Sequence, residues 1–465
     1  MDYKGKKCVF KLNGFELEVE EIENRDKIYI DEIDSLWSGI FADGIKEKEE
    51  VPKVLKGRAF EDNSKEIVFN IRRGEKTSPR TYFFILDSYT IFKKDESSFD
   101  TLRINSEELN WFYNVNKAYK YEEIVDTGQI LFELVPLKDL KKSFEFNLGD
   151  ELVSAELNII KSLSTSSTSP IELATALYLS FQETTDYSKI HKLINVTSNF
   201  LKFVTYRRNI SISHVILIKT DEKTGNLIPV GEFYPNREEP NLIEKEKTLK
   251  KVLIDLPIIE KNIGTLFNKI QNNMIYLTHI PENSVEKSIL TPARFVMITA
   301  GFEWQFRNSY KELNIESEKE KKKKEGLKEV LAFLDQKIEE STGEKKRYFK
   351  GLKDRTRNTD MGLSPKIKWA LNEFKDVLDL FINHIYKLNQ YEDVKYSDIG
   401  DRIQSRRNDY AHGNIDKKLK REVLIDLRVL EWLYYAMVLS SIGMSRENIK
   451  AAIDKLFSRG FGLSW

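Results

Sequence analysis

Apolar and polar residues alternate through much of the first third of the chain, with the period of two expected of strands buried on one face. Cys8-Val-Phe-Lys-Leu12, Phe15-Glu-Leu-Glu-Val-Glu20, Lys27-Ile-Tyr-Ile30, Ile67-Val-Phe-Asn-Ile71 and Tyr82-Phe-Phe-Ile-Leu86 are short and rich in β-branched and aromatic residues. Asn13-Gly14 is a hairpin signal between the first two. Ile130 to Val135 and Ser143 to Leu148 continue the pattern. It predicts an antiparallel sandwich or barrel-like module with one dry face. Trp37, Trp111, Phe112 and Tyr113 are core or rim packing in the ordinary case; the alternative is a ligand groove.

The period then changes. Ser162 to Ser169 is polar and of low complexity, a surface loop or a linker. Tyr187 to Val204 has the helical spacing of Ile190, Leu193, Ile194, Phe200, Leu201 and Phe203. His214 to Lys219 and Leu227 to Phe233 predict a hairpin around Gly225-Asn226, and Leu249 to Ile270 a further helix. From about Ser288 the pattern is helical to the end. Thr291 is an N-cap before Pro292, opening a helix through Phe295, Ile298, Phe302 and Phe306. Leu327 to Ile338 and Tyr348 to Leu352 give shorter helices. Ser364-Pro365 caps a long one through Trp369, Phe374, Leu378 and Ile385, on which His384 is expected to be packed. Leu419 to Ile442 predicts the longest helix, with Leu424, Leu427, Leu430, Leu433, Tyr434 and Met437 as its core stripe. Ser445 caps a final helix with Ile449, Ile453 and Leu456. The expected class is α+β and multidomain: a β-rich region over 1–165, a mixed region over 166–288 that is a second module or a continuation of the first, and an all-α region over 289–465.

Composition narrows the chemistry. The 465 residues hold 74 basic and 74 acidic side chains, so any nucleic-acid site must be a local patch. The run Lys319-Glu-Lys-Lys-Lys-Lys324 is first a solvated helix face and only secondarily a guide for phosphate. A single cysteine, Cys8, excludes intrachain disulfides and cysteine-based zinc sites and fits a reducing compartment. No apolar run is long enough to span a membrane, and Met1-Asp2-Tyr3-Lys4 opens no signal peptide, so a cytoplasmic protein without a membrane partner is expected. No metal-ligand cluster or Gly-rich phosphate loop is present, which argues against metallonuclease and nucleotide-hydrolase readings; no cofactor is expected.

The stretch with chemistry is Arg402-Ile-Gln-Ser-Arg-Arg-Asn-Asp-Tyr-Ala-His-Gly413, which holds one of five histidines in the chain. RNA is cut without a metal when its own 2′-hydroxyl attacks the adjacent phosphorus. That reaction needs a group that moves protons near neutral pH and a fixed cation on the phosphorane. Histidine suits the first task, and arginine, always charged and planar, suits the second. Asn408 could bind phosphate or orient His412. Arg406, Arg402 and Tyr410 are candidate substrate contacts, and Arg406 competes with Arg407 for the catalytic place. On a regular helix, at about 100° per residue, Arg407 and His412 point well apart, so they converge only if the helix ends or bends between them. Gly413-Asn414 is read as supplying that stop. The competing reading is a helix C-terminus with Arg and His complementing its dipole. Arg208-Asn209 before His214 repeats the letters, but in a strand context where the histidine is structural. Glu303, within the apolar stretch after Pro292, is either a partly exposed carboxylate or a buried partner that fixes Arg407.

Arg407-Asn-Asp-Tyr-Ala-His412 resembles the signature of HEPN ribonucleases, an Arg followed at short spacing by a His, often with Asn directly after the Arg. The helical region with this pair just before its longest predicted helix is similar to a HEPN bundle over roughly residues 289–445. The β-rich region ahead of it is similar in architecture to the ApeA-like branch of bacterial antiphage defence, an abortive-infection family. The resemblance implies a metal-independent endoribonuclease with Arg407, Asn408 and His412 in its site. It also implies a homodimer with two Arg–His pairs facing one cleft, RNA (tRNA among the candidates) as substrate, and a phage-encoded trigger. A catalytically silent HEPN module binding RNA, nucleotide or protein is the alternative; a third reading makes the N-terminal region a carbohydrate or peptide binder that the helical region dimerises.

Overall fold

A computed structural model describes residues 1–22, 51–59, 65–78, 80–93, 96–124, 129–163, 171–210, 212–236, 249–311, 318–357, 362–391, 394–414, 416, 419–457 and 460. Lys27 to Ile30 and Trp37 lie outside them. The chain forms two compact units, Met1–Leu256 with Ile263–Gln271, and Pro257–Asn262 with Asn272–Trp465.

The first unit is built on antiparallel strands: β1 (Asp2–Tyr3), β2 (Lys6–Asn13), β3 (Glu16–Glu21), β4 (Val54–Arg58), β5 (Lys65–Lys76), β6 (Thr81–Lys93), β7 (Phe99–Asn105), β8 (Tyr119–Ile124), β9 (Gln129–Leu134), β10 (Lys142–Leu148), β11 (Glu151–Leu163), β12 (Ile171–Thr184), β13 (Val215–Thr220) and β14 (Leu227–Pro235). Among the described residues β8 and β9 pair only with each other. The other twelve make one sheet in the order β1-β2-β3-β6-β14-β13-β7-β12-β11-β10, with β5 also on β6 and β4 on β5. Period two is visible where it was read: in β3, Leu17 and Val19 are buried and Glu16, Glu18 and Glu20 are exposed. β12, β13 and β14 share the sheet with β2 to β7, so the mixed middle region continues the first. Of the polar run Ser162 to Ser169, Ser162 and Leu163 end β11 and the rest lies outside the described residues. Leu163 is opposite Ile171 of β12, so the strands on either side of the expected boundary at 165 belong to one sheet.

The possible aromatic groove is core. Helix α1 (Glu107–Phe112) starts at a Ser106 cap, and Trp111, Phe112 and Tyr113 are all buried. The Arg207 guanidinium lies 5.2 Å from the Trp111 ring and pairs with the buried Glu108 carboxylate, so this corner is both apolar and charge-matched. Helix α2 (Ser188–Thr205) follows the predicted periodicity. The single helix expected over 249–270 is not formed. Pro257 disfavours helical backbone before it, and the segment resolves into Leu256–Ile259, a short turn and α3 (Ile263–Gln271). Phe267 of α3 packs on Phe144, Phe146 and Phe200 at 5.1, 4.9 and 4.6 Å between ring centres.

The second unit is helical: α4 (Ser284–Ser288), α5 (Pro292–Ser309), α6 (Glu318–Glu339), α7 (Gly343–Arg357), α8 (Leu363–Glu373), α9 (Lys375–Leu388), α10 (Tyr396–Ala411), α11 (Arg421–Ser441) and α12 (Arg446–Leu456). Thr291 and Ser445 cap α5 and α12 through their hydroxyls as expected, accepting from Arg294 N at 3.1 Å and Asn448 N at 3.3 Å. Four expectations change. The long helix after Ser364 is two, α8 and α9, broken at Phe374, whose backbone leaves helical geometry while its ring stays in the core. His384 is exposed on α9, not packed. α6, at 22 residues, is one longer than α11 at 21. In α11, Leu424 is exposed, yet every residue from Val429 to Leu439 is buried. A helix covered on all sides is the centre of a bundle. The apolar stripe of α11 is therefore covered within the unit and carries no weight for the expected dimer. The one carboxylate in that run, Glu431, is met by Arg294 at 2.9 Å and Arg428 at 2.8 Å.

Candidate active site

Helix α10 carries the candidate residues, and its inner face fixes their orientation. Ile399, Gly400, Ile403 and Arg406 face the bundle. Gly400 permits close approach to α8, because an added Cβ would lie 2.8 Å from the Ser364 carbonyl oxygen. Here the role assigned to Ser364 is corrected. It lies inside α8, and α10 supplies the cap: Gln404 Oε1 accepts from Ser364 N–H at 2.8 Å, and the Ser364 hydroxyl donates to Asp401 Oδ1 at 2.6 Å.

The three arginines diverge. Arg402 is locked to α11: its Nε and Nη2 donate to the two oxygens of Asp426 at 2.7 and 2.8 Å, and Nη2 also donates to Tyr386 Oη at 3.0 Å. The Tyr386 hydroxyl donates to the same carboxylate. These bonds hold the Arg402 guanidinium even more firmly protonated than usual; burial pushes the Asp426 carboxyl up, with Arg402 and Tyr386 pulling against it. Arg402 is thus engaged in holding α10 to α11. Arg406 is buried, 3.9 Å from Asp409 Oδ2 and 5.5 Å from the Tyr410 ring centre. Arg407 is the open one, with 43% of its side chain exposed. Tyr410 packs edge-on against Phe295 of α5 at 5.4 Å.

Glu303 is the partner that sequence left undecided. Its Oε2 lies 3.8 Å from Arg407 Nη2, while its Oε1 accepts from Lys366 Nζ at 2.9 Å and Arg307 Nη2 at 3.1 Å. One partly buried carboxylate thus sits among three cations. Arg307, four residues on, was legible from helical spacing. Lys366 on α8 and Asp426 on α11 were not, because each meets its partner only through tertiary packing.

The end of α10 departs from the expected stop. The His412 N–H still donates to Asn408 O at 3.0 Å, so the backbone is helical up to it. Gly413 then takes φ +77, its N–H donates to Tyr410 O at 3.2 Å and Asn414 N–H to Asp409 O at 2.9 Å. This is a Schellman closure, which a residue with a Cβ adopts only under strain. The stop comes after the histidine, so no bend brings Arg407 and His412 together. On a regular helix they stand about 140° apart in rotation and about 7.5 Å apart in rise. Asn408 and His412, by contrast, are one turn apart on the same exposed face. The His412 imidazole is exposed and takes no hydrogen-bond partner among the described residues. A phosphodiester lying across this end of α10 could be approached by Arg407 from one flank and by Asn408 and His412 from the other. No group of three or more His, Cys, Asp or Glu that could hold a metal ion occurs among the described residues, and no helix among them is long and apolar enough to cross a membrane.

Comparison with protein-family models, curated proteins and solved structures finds no match to this chain.

Proposed function

We propose that the helical unit is a metal-independent endoribonuclease of the HEPN kind, acting in bacterial antiphage defence, with the sheet unit as its sensor or regulator. One observation carries the proposal: α10 ends in an exposed Arg407, Asn408 and His412, while the other arginines of the stretch are turned into the bundle. In the reaction the 2′-oxygen forms a bond to phosphorus and the bond from phosphorus to the 5′-oxygen breaks. The products are a 2′,3′-cyclic phosphate and a 5′-hydroxyl. Arg407, steadied by Glu303, holds the non-bridging oxygens. His412 takes the 2′-proton or delivers one to the 5′-oxygen. A homodimer would place a second His412 across the cleft for the other transfer. Incubating the purified protein with total RNA or tRNA in EDTA tests this. Cleavage to cyclic phosphate ends supports the proposal, and loss of cleavage on chelation overturns it. For the regulator, the cleavage rate of the full chain is compared with and without extract of phage-infected cells; an unchanged rate removes the sensor role.

A second reading has its own observation. The regular helix through Ala411 separates Arg407 from His412, which suits a HEPN module that binds RNA, nucleotide or protein without cutting. RNA binding that survives His412→Ala, with no cleavage by the parent protein, would select it.

A further inference from the structure

The helical hairpin of α6 and α7 is inserted between α5, which supplies Glu303, and α8, which supplies Lys366. Its two helices differ in charge. The 22 residues of α6 hold seven basic and six acidic side chains, the balance of a solvated helix laced by Lys–Glu pairs. The 15 residues of α7 hold seven basic and two acidic, a net charge of +5 in a chain whose total is zero. Solubility alone gives no reason for the asymmetry.

The exposed face of α7 is ordered around an aromatic ring. Tyr348 is 67% exposed. Lys345 lies one turn before it, Arg347 is adjacent, Lys350 is one turn beyond Arg347, and all three are exposed. Gly351 lies one turn beyond Tyr348, and an added Cβ there would meet nothing within 4 Å, so the ring stands beside open space. The opposite face is occupied: Phe349 and Leu352 are partly buried, and Lys353 pairs with Asp335 of α6. Arg347 and Gly351 therefore point away from α6, and Tyr348 and Lys350 border that side on either flank. The exposed Lys345 stands next to Tyr348 in the first turn of α7, above Phe349.

We propose that the exposed surface of α7 binds the backbone and an unstacked base of RNA, which wraps from Lys345 past Tyr348 and Arg347 to Lys350, with the three cations on phosphates and Tyr348 as the stacking surface. Phosphate contacts give affinity without sequence, and a base stacks on an aromatic ring whatever its identity. The occupant's identity rests on the ribonuclease reading; the face itself does not. The hairpin would raise the affinity of a long RNA for the site at the end of α10.

The test uses full-chain His412→Ala protein and fluorescein-labelled bulk tRNA, read by anisotropy across a salt series. The triple variant K345E/R347E/K350E is expected to bind at least about tenfold more weakly. Its salt dependence should be shallower by roughly two to three, since each lost phosphate contact removes about 0.7 to 0.9 from the slope. Tyr348→Ala should weaken binding about fivefold or more with the slope unchanged. Binding and slope equal to the parent's in the triple variant overturn the proposal, as does a parent that binds no RNA. A change of mass by light scattering in place of a change in RNA binding also overturns it, and assigns the face to a second copy of the chain. Binding that follows these expectations, with no cleavage by the wild-type chain in EDTA, leaves the RNA face standing and removes the ribonuclease reading alone.

Discussion

An arginine–asparagine pair shortly before a histidine occurs twice in this chain, in two different backbones. In the sheet unit, Arg208 and Asn209 lie in non-helical chain, and His214 leads directly into β13. Its ring lies 6.1 Å from that of Tyr234, with the Ser213 hydroxyl 3.3 Å from Nδ1. In the helical unit, Arg407, Asn408 and His412 ride the exposed last turns of α10, and a Gly413 closure fixes where the helix stops. The letters are nearly alike. What differs is that a helix end repeats its geometry turn by turn, so the Asn408 amide stands one turn below the His412 imidazole and the Arg407 guanidinium about 140° round the helix from it. An extended segment sends successive side chains to opposite faces.

The sharpest break of that comparison is catalytic. His412→Ala and Arg407→Ala should each lower RNA cleavage by at least about 100-fold, the usual worth of a proton-transfer group or a fixed phosphate cation. His214→Ala and Arg208→Ala should leave it within a few-fold, by gel assay of the same RNA. A reversed order would move the site to the sheet unit.

A second comparison lies within α10, between an arginine that holds the fold and one that faces out. Asp426→Ala leaves Arg402 without its carboxylate in a half-buried place and should destabilise the helical unit by about 3 to 5 kcal/mol in thermal or urea unfolding. Arg407→Ala removes a long, half-exposed pair and should cost less than about 1 kcal/mol. Equal losses would mean that Arg407 is structural.

The pH dependence separates folding from catalysis. Burial depresses the His279 pKa to about 4, against the opposing field of Glu431. His279 is therefore neutral in the folded unit across the range in which an unfolded histidine, with a pKa near 6.5, takes a proton. The unfolded state binds more protons below about pH 6.5, so stability falls as pH drops from there to about 4, by about 3 kcal/mol in total, and is flat with respect to this group above 6.5. In His279→Gln the slope of stability against pH over that window should shrink. An unchanged slope would assign the acid sensitivity of folding to other groups.

The smallest expected effect decides between neighbours. Arg406→Ala should keep more cleavage activity than Arg407→Ala, by about tenfold, because Arg406 is buried beside Asp409 and Tyr410. The opposite ranking would reassign the phosphate cation.

Much of this was legible along the chain, and the failures have physical causes. Period-two alternation marked β2, β3, β6 and β10, because each has one face drier than the other. In β5, Ile67, Val68 and Phe69 are all buried, so its apolar run rather than alternation marked it. Thr291 and Ser445 were legible as caps because capping is local. Ser364 was misread because the donors of its helix end are met by Gln404 and Asp401, some forty residues away in sequence. The helix expected through Phe374 broke because its two halves bury their apolar stripes separately.

By itself the sequence determined the β-rich region followed by a helical one, the local caps, and the place on a helix end where Arg407, Asn408 and His412 stand. These depend on residue spacing and on Gly413, which act over one or two turns. Tertiary structure alone decided that residues 171–235 complete the first sheet, that α11 is covered on all sides, that Glu303 is shared among Lys366, Arg307 and Arg407, and that Arg402 belongs to Asp426. Those outcomes depend on which distant side chain arrives to satisfy a buried charge or an open sheet edge, and one-dimensional spacing holds no record of that arrival.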